Sequence, residues 1–226
     1  MVKLSKRMKE ASKLVEAKRD YSLQDAVSSL MKFPKVKFDE TVELHVSLNV
    51  DPKLSEQAVR GTVILPHGTG KKIRIAVFCK GENVQKAKEL GADHVGAEDL
   101  IEKVSKGFMD FDCCVATPDM MRELSKLGKL LGPRGLMPSP KAGTVTMDIG
   151  KAIEELRAGK VEFKSDKQGD IHLGIGKRSF TAEQLLKNVL HVMEAIDHLK
   201  PSSVKGNLIK KFFLSTTMGP SIKVAL

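Results

Sequence analysis

Tryptophan is absent from the 226-residue chain, tyrosine occurs once, and aromatic residues make up only 4% of it. Stacking of bases on aromatic rings therefore cannot be the main source of affinity for a nucleic acid. Cysteine is scarce too: there are three, with Cys113 and Cys114 adjacent. An odd count of this kind makes no disulfide framework and fits a reducing compartment. Neighbouring strand residues face opposite sides, so these two are poorly placed to share a metal and read as structural thiols. No apolar run is long enough for a signal peptide or a membrane span, which predicts a soluble intracellular protein with no membrane partner.

Catalytic signatures are missing as well. The run Gly68-Thr69-Gly70-Lys71 suggests a phosphate loop, but that motif needs a glycine where Leu65 stands and a hydroxyl where Lys72 stands. No GxGxxG follows a strand, none of the six histidines forms HExxH, and there is no nucleophile elbow. Lys106-Gly107-Phe108 opens like the octapeptide of RNA-recognition motifs, but Met109, Asp110 and Cys113 break its stacking pattern. An enzyme is unsupported, and no cofactor or metal is expected.

What the chain does have is positive charge. Its 38 basic and 28 acidic residues give +10, an excess that favours a polyanionic partner because neutralised phosphates release counterions. The first 20 residues hold seven bases, Lys3, Lys6, Arg7, Lys9, Lys13, Lys18 and Arg19, against three acids. After Asp197 there is no acid, while Lys200, Lys205, Lys210, Lys211 and Lys223 follow. Such runs serve a solvated face or a phosphate contact alike.

Periodicity divides the chain. Leu4, Met8, Ala11 and Val15 form one helical stripe. Ser22 with Asp25 resembles a capping box for a second helix, which Pro34 ends. Val42, Leu44, Val46, Leu48 and Val50 alternate with polar residues as a half-buried strand. A short helical turn over 53–58 and a strand over 61–65 follow. Past Pro66-His67-Gly68-Thr69-Gly70, a candidate hinge, the period changes. Residues 73–79 are apolar at nearly every position, as in a strand covered on both faces. Helices over 82–90, 98–106, 118–130 and 150–158 alternate with strands near 93–95 and 113–117, which implies a parallel α/β domain with right-handed crossovers. A helix from Thr181 to His198 and strands around 212–214 and 222–224 complete the chain.

The fold class is thus α/β and α+β in two domains. A discontinuous α+β domain is expected from 1–66 and 160–226, interrupted by an inserted Rossmann-like α/β domain over 67–159, and two chain crossings would permit a hinge motion. Residues 160–177 look like a β-hairpin. Val161 and Phe163, then Ile171, Leu173 and Ile175, alternate with polar residues around the turn Asp166-Lys167-Gln168-Gly169. Its outer face would carry Lys164, Asp166, Asp170 and His172, without a metal-ligand spacing. The Gly- and Pro-rich stretch 130–145 reads equally as a rigid connection or as a second phosphate contact through exposed amides, Arg134 and Lys141.

Four segments taken together, FDETVEL (38–44), GPRGLMPSPKAGTVT (132–146), FKSDKQGDIHLGIGK (163–177) and STTMGPS (215–221), resemble the bacterial ribosomal protein L-one family, the stalk protein of the large subunit. The likeness spans essentially the whole chain, with Ser139 departing from the asparagine more usual there. It implies a cytoplasmic ribosomal protein that binds large-subunit rRNA on the mobile stalk beside the exit site, aids release of deacylated tRNA, and represses translation of its own operon mRNA. It also implies a monomer off the ribosome. The RNA face implied by the resemblance comprises Lys37, Phe38, Glu40, Thr41, Lys164, Ser165, Asp166, Lys167, His172, Thr217, Met218 and Gly219. These residue types suit the task. Thr41 and Thr217 can exchange hydrogen bonds with a 2′-hydroxyl, Gly219 permits close backbone approach, and Phe38 and Met218 offer apolar contact to a sugar. Because these contacts lie at a surface, Thr217→Ala or Gly219→Val is expected to weaken RNA binding with little loss of stability.

Overall fold

The computed structural model describes residues 5–16, 19–51, 54–204 and 206–225. The chain forms two compact units, Met1–Gly70 with Val161–Leu226, and Lys71–Lys160. In chain order the elements are α1 (Lys6–Lys13), α2 (Leu23–Lys32), β1 (Thr41–Leu48), β2 (Arg60–Ile64), β3 (Ile75–Phe78), α3 (Asn83–Glu89), β4 (His94–Gly96), α4 (Glu98–Ser105) and β5 (Cys113–Ala116). Then come α5 (Met121–Leu124), α6 (Gly128–Leu131), α7 (Ile149–Ala158), β6 (Lys160–Lys164), β7 (Asp170–Lys177), α8 (Ala182–His198), β8 (Ile209–Thr216) and β9 (Ile222–Val224). Lys3, Leu4, Lys18, Lys53 and Lys205, which entered the sequence readings, lie outside the described residues.

In the first unit an antiparallel sheet runs in the order β7-β1-β8-β9. Along β1 burial alternates without a break: Val42, Leu44, Val46 and Leu48 face the core, while Thr41, Glu43, His45 and Ser47 face outward. The inner face is covered by α2 and α8, whose Val27, Leu30, Leu185, Val189, Val192 and Ile196 join the same core. Both helices start on side-chain caps: Ser22 accepts from Asp25 N–H, and Thr181 with Gln184 forms a complete capping box. Asn188 of α8 is fully buried. Its side chain accepts from His67 N–H and donates to the carbonyls of Gly68 (3.1 Å) and Ile175 (2.7 Å). Residues 67–68, part of the candidate hinge, are thereby bound into the first unit.

Two expectations are corrected here. The 160–177 stretch is not a paired hairpin, because β6 joins β2 in a two-stranded sheet while β7 joins β1. The intervening turn does form: Asp166 Oδ1 accepts from Gln168 N–H (2.7 Å) and Asp170 N–H (2.9 Å), and Gly169 takes a φ of 84°. Just past β6, Ser165 N–H donates to Val59 O at 2.8 Å, which keeps that backbone on the β2 side. Alternation identifies a strand and its buried face, but it does not name the partner. Likewise 118–130 is not one helix. Pro118–Met120 and Ser125–Leu127 are 3-10 turns flanking α5, and α6 begins at Gly128. Pro118 can open a helix but not continue one, and Gly128 is a poor interior former.

The second unit carries a parallel sheet in the order β4-β3-β5. Every residue of β3 is buried, and the sheet is covered on both faces. One face packs Ile75, Val77 and Val115 against α3 and α7; the other packs Ala76, Phe78 and Ala116 against α4 and the 120–131 turns. Cys79 and Cys114 are buried and Cys113 is half-buried. Burial, with the neighbouring Cys113, pushes the Cys114 thiol up to about 12, so it is inert at neutral pH. Gly159 ends α7 in the left-handed region, φ 102°. No helix among the described residues is long and apolar enough to cross a membrane.

Candidate nucleic-acid interface

The interface is organised by a buried carboxylate. Glu40 stands just before β1 with its side chain 1% exposed, paired with Arg178 Nη1 at 2.8 Å. Its other oxygen accepts from Met218 N–H at 3.1 Å and from the Thr216 hydroxyl at 3.3 Å. Arg178 also donates to the carbonyls of Met31, Phe33 and Pro34 at the exit of α2. One ion pair thus fastens three distant segments: the end of α2 with its following loop, the start of β1, and the turn after β8. Taking a charge pair out of water is costly unless its remaining hydrogen-bonding capacity is met. Here the carboxylate and the guanidinium both find further partners.

This corrects the reading of Glu40 as part of the contacting face. Its carboxylate points inward and shapes the surface from beneath.

Thr41 and Thr217 form the next layer outward. Thr217 N–H donates to Thr41 O (3.0 Å), and Thr217 Oγ1 accepts from Thr41 N–H (3.0 Å) and donates to Thr41 O (3.3 Å). Lys177 Nζ donates to Thr41 Oγ1 at 2.9 Å. The two threonines therefore latch the turn after β8 onto β1 as well as facing solvent. Gly219 is constrained from inside: a Cβ there would lie 2.4 Å from Thr216 Oγ1 and 3.0 Å from the Phe33 ring. The expectation that Gly219→Val spares stability is therefore overturned. Outside this frame stand Lys37, Phe38 and Met218, all exposed, the last two at 54% and 49%.

The outward sheet face continues this surface. His45 of β1 lies opposite His172 of β7 and Phe213 of β8, and Glu43 lies opposite Ser215. The Nδ1 atoms of His45 and His172 are 2.8 Å apart, and His45 Nε2 is 2.9 Å from Ser215 Oγ. An imidazole nitrogen cannot accept while protonated, so one of the two Nδ1 atoms must carry no proton. Burial and the His172 charge both lower the pKa of His45, partly offset by Glu43. Lys164, Asp166, Lys167 and His172 are exposed, whereas Ser165 is half-buried and its hydroxyl accepts from Val59 N–H. Backbone N–H donors, that of Asp170 foremost, hold the Asp166 carboxyl below its usual range.

Donor atoms of Asp166, Asp170 and His172 lie within 4.8 Å of one another, a convergence that sequence spacing did not suggest. Asp166 commits one oxygen to the turn, so the set is foremost the scaffold of that turn. Arg134 and Lys141 are exposed on the second unit.

Sequence reasoning missed Arg178, His45 and Ser215. Arg178 carried one faint signal, a cation just after the β7 alternation stops. The other two become visible only once strand partners are known.

The same segments decide the affiliation. The profile of the Ribosomal protein L1p/L10e family matches residues 30–220. The chain belongs to that family. It is 54% identical to the large ribosomal subunit protein uL1 of Thermosipho africanus over 225 residues, covering 99% of this chain and 97% of the relative. Against the protein of the same name in Protochlamydia amoebophila it is 54% identical over 222 residues, 98% of this chain and 94% of the other. That of Fervidobacterium nodosum is 52% identical over 227 residues, with 100% and 97% covered. The matched L1 span takes in Glu40, Thr41, Arg178 and the 215–219 turn.

Proposed function

We propose that this protein is a structural, non-enzymatic constituent of the large ribosomal subunit. In the cytoplasm it binds large-subunit rRNA at the stalk through the face around Thr41 and Thr217, aids release of deacylated tRNA at the exit site, and represses its own operon mRNA with the same face. It is a monomer off the ribosome, and the inserted unit swings about the two crossings between the domains. Arg134 and Lys141 of that unit supply a secondary RNA contact.

The observation that carries this reading is the Glu40–Arg178 pair holding a pre-formed surface. Phe38, Met218 and Lys37 are presented on a frame already fixed by the threonine latch, so little ordering entropy remains to be lost on binding. With few aromatics, recognition rests on polar groups, backbone and charge, which suits a folded RNA read by shape and 2′-hydroxyls.

The test is a gel-shift titration against a folded stalk-rRNA fragment and a scrambled RNA of equal length, each at two salt concentrations. Shape-specific binding predicts that affinity survives higher salt for the stalk fragment alone. Equal binding to both, lost together as salt rises, would reduce the interaction to net charge and overturn the proposal.

A further inference from the structure

Among the described residues, one buried side-chain nitrogen has no hydrogen-bond partner, Nη1 of Arg7. Arg7 lies on α1, and its Nη2 donates to the carbonyl of Met218. The N–H of the same residue is held by Glu40. The Met218 peptide is therefore gripped at its N–H from the core and at its carbonyl from α1.

We propose that Arg7 is a positioning residue of the RNA site whose free amino group also meets the RNA. Nη2 fixes the Met218 carbonyl, and Nη1 bonds a phosphate or 2′-hydroxyl oxygen of the bound RNA. The inference rests on the RNA-binding reading above. Ala11 of α1 is fully buried in the core and Ser5 Oγ accepts from Met8 N–H at 3.3 Å, so the helix carrying Arg7 is seated. A guanidinium offers five donors in a rigid plane. One edge is used on Met218, and the other is enclosed with nothing to accept from it. An enclosed donor without an acceptor raises the free energy of the unbound state, and an RNA oxygen removes that cost. Arg7 as a whole is only half-buried, and the proposed contact requires its guanidinium to turn about the Met218 carbonyl so that Nη1 comes out to the surface beside the exposed Met218. A fully hydrated surface lysine has no such unmet donor to satisfy.

The test compares full-length Arg7→Ala, Arg7→Lys and a Lys6→Ala/Lys9→Ala control on the stalk fragment and the scrambled RNA. Arg7→Ala should lose roughly tenfold in affinity for the stalk fragment, the size of one charge-assisted bond, and much less for the scrambled RNA. Its slope of log affinity against log salt should shrink by about one. Arg7→Lys should restore the slope but not the affinity, because an ammonium is not a planar fork able to hold Met218 and RNA together. Lys6→Ala/Lys9→Ala should lower affinity for both RNAs alike.

Wild-type affinity in Arg7→Ala, full recovery in Arg7→Lys, or an equal loss in the lysine control would each overturn the assignment. Should Arg7→Ala melt below the assay temperature, the Lys variant, which keeps stem and charge, decides alone. If the wild-type protein itself fails to prefer the stalk fragment, the underlying reading fails and takes this inference with it. That failure appears before any variant is compared.

Discussion

At the scale of single residues, the surface around Thr217 is governed by groups beneath it. With side chains 1% and 10% exposed, Glu40 and Arg178 form a pair in which removing one partner strands the other charge. Glu40→Ala should cost about 3–5 kcal/mol, read in urea unfolding, and Glu40→Ala with Arg178→Met should recover a large part of it. If the double variant is as unstable as the sum of the two single changes, the pair is not a coupled unit. Gly219→Val places a branched side chain against Thr216 and Phe33, and overpacking of this kind typically costs about 1–3 kcal/mol. Melting temperature and RNA affinity should fall together, whereas a purely surface role would move affinity alone. Asp112 of the second unit is a separate, pH-dependent case. Hydrogen-bonded by Lys71 at 2.6 Å and also by Arg74, it is held at about 2, below the value near 3.9 of an unfolded chain. Because the folded-state pKa is the lower one, its contribution is complete above roughly pH 4 and is lost as pH falls from there toward 2. Asp112→Asn should flatten the acid limb of the unfolding curve over that window; an unchanged limb would contradict it.

At the scale of elements, α8 joins parts that the chain keeps far apart. Asn188 ties residues 67–68 to the end of β7. In Asn188→Leu, His67 N–H, the Gly68 carbonyl and the Ile175 carbonyl lose their side-chain partner, at about 1–3 kcal/mol for each group left buried and unpaired. Hydrogen exchange at the His67 amide should accelerate more than exchange in the β1 ladder, and equal acceleration would point to global destabilisation. The elements were legible where local rules suffice. The β1 alternation, the Ser22 cap and the helix over 150–158 all follow from neighbours in sequence. Strand partnership was not legible, since β6 and β7 satisfy the same period-2 pattern whether they pair with each other or with β2 and β1. Nor was the role of Glu40 legible. An acid beside exposed Lys37, Phe38 and Asp39 gives no sign that its partner stands 138 positions away. The candidate face was therefore found as a set of segments, while the support beneath it needed the fold.

At the scale of the whole molecule, charge is unevenly divided. The first unit holds 22 basic and 15 acidic residues, a balance of +7, against 16 and 13, or +3, for the inserted unit. The polyelectrolyte part of RNA affinity should therefore follow the first unit, since each phosphate neutralised contributes nearly one to the salt slope. Lys210→Ala, Lys211→Ala and Lys223→Ala, in β8 and β9, should together reduce the slope by up to about three while leaving the preference for the stalk fragment nearly intact. Lys223 also pairs with Asp20 at 2.7 Å, so its share should be the smallest. Replacing Arg134 and Lys141 with alanine should lower the slope by at most about two, again without loss of preference. A larger drop from this second pair than from the three lysines would move the principal RNA contact to the inserted unit. It would also make the face around Thr217 the accessory one.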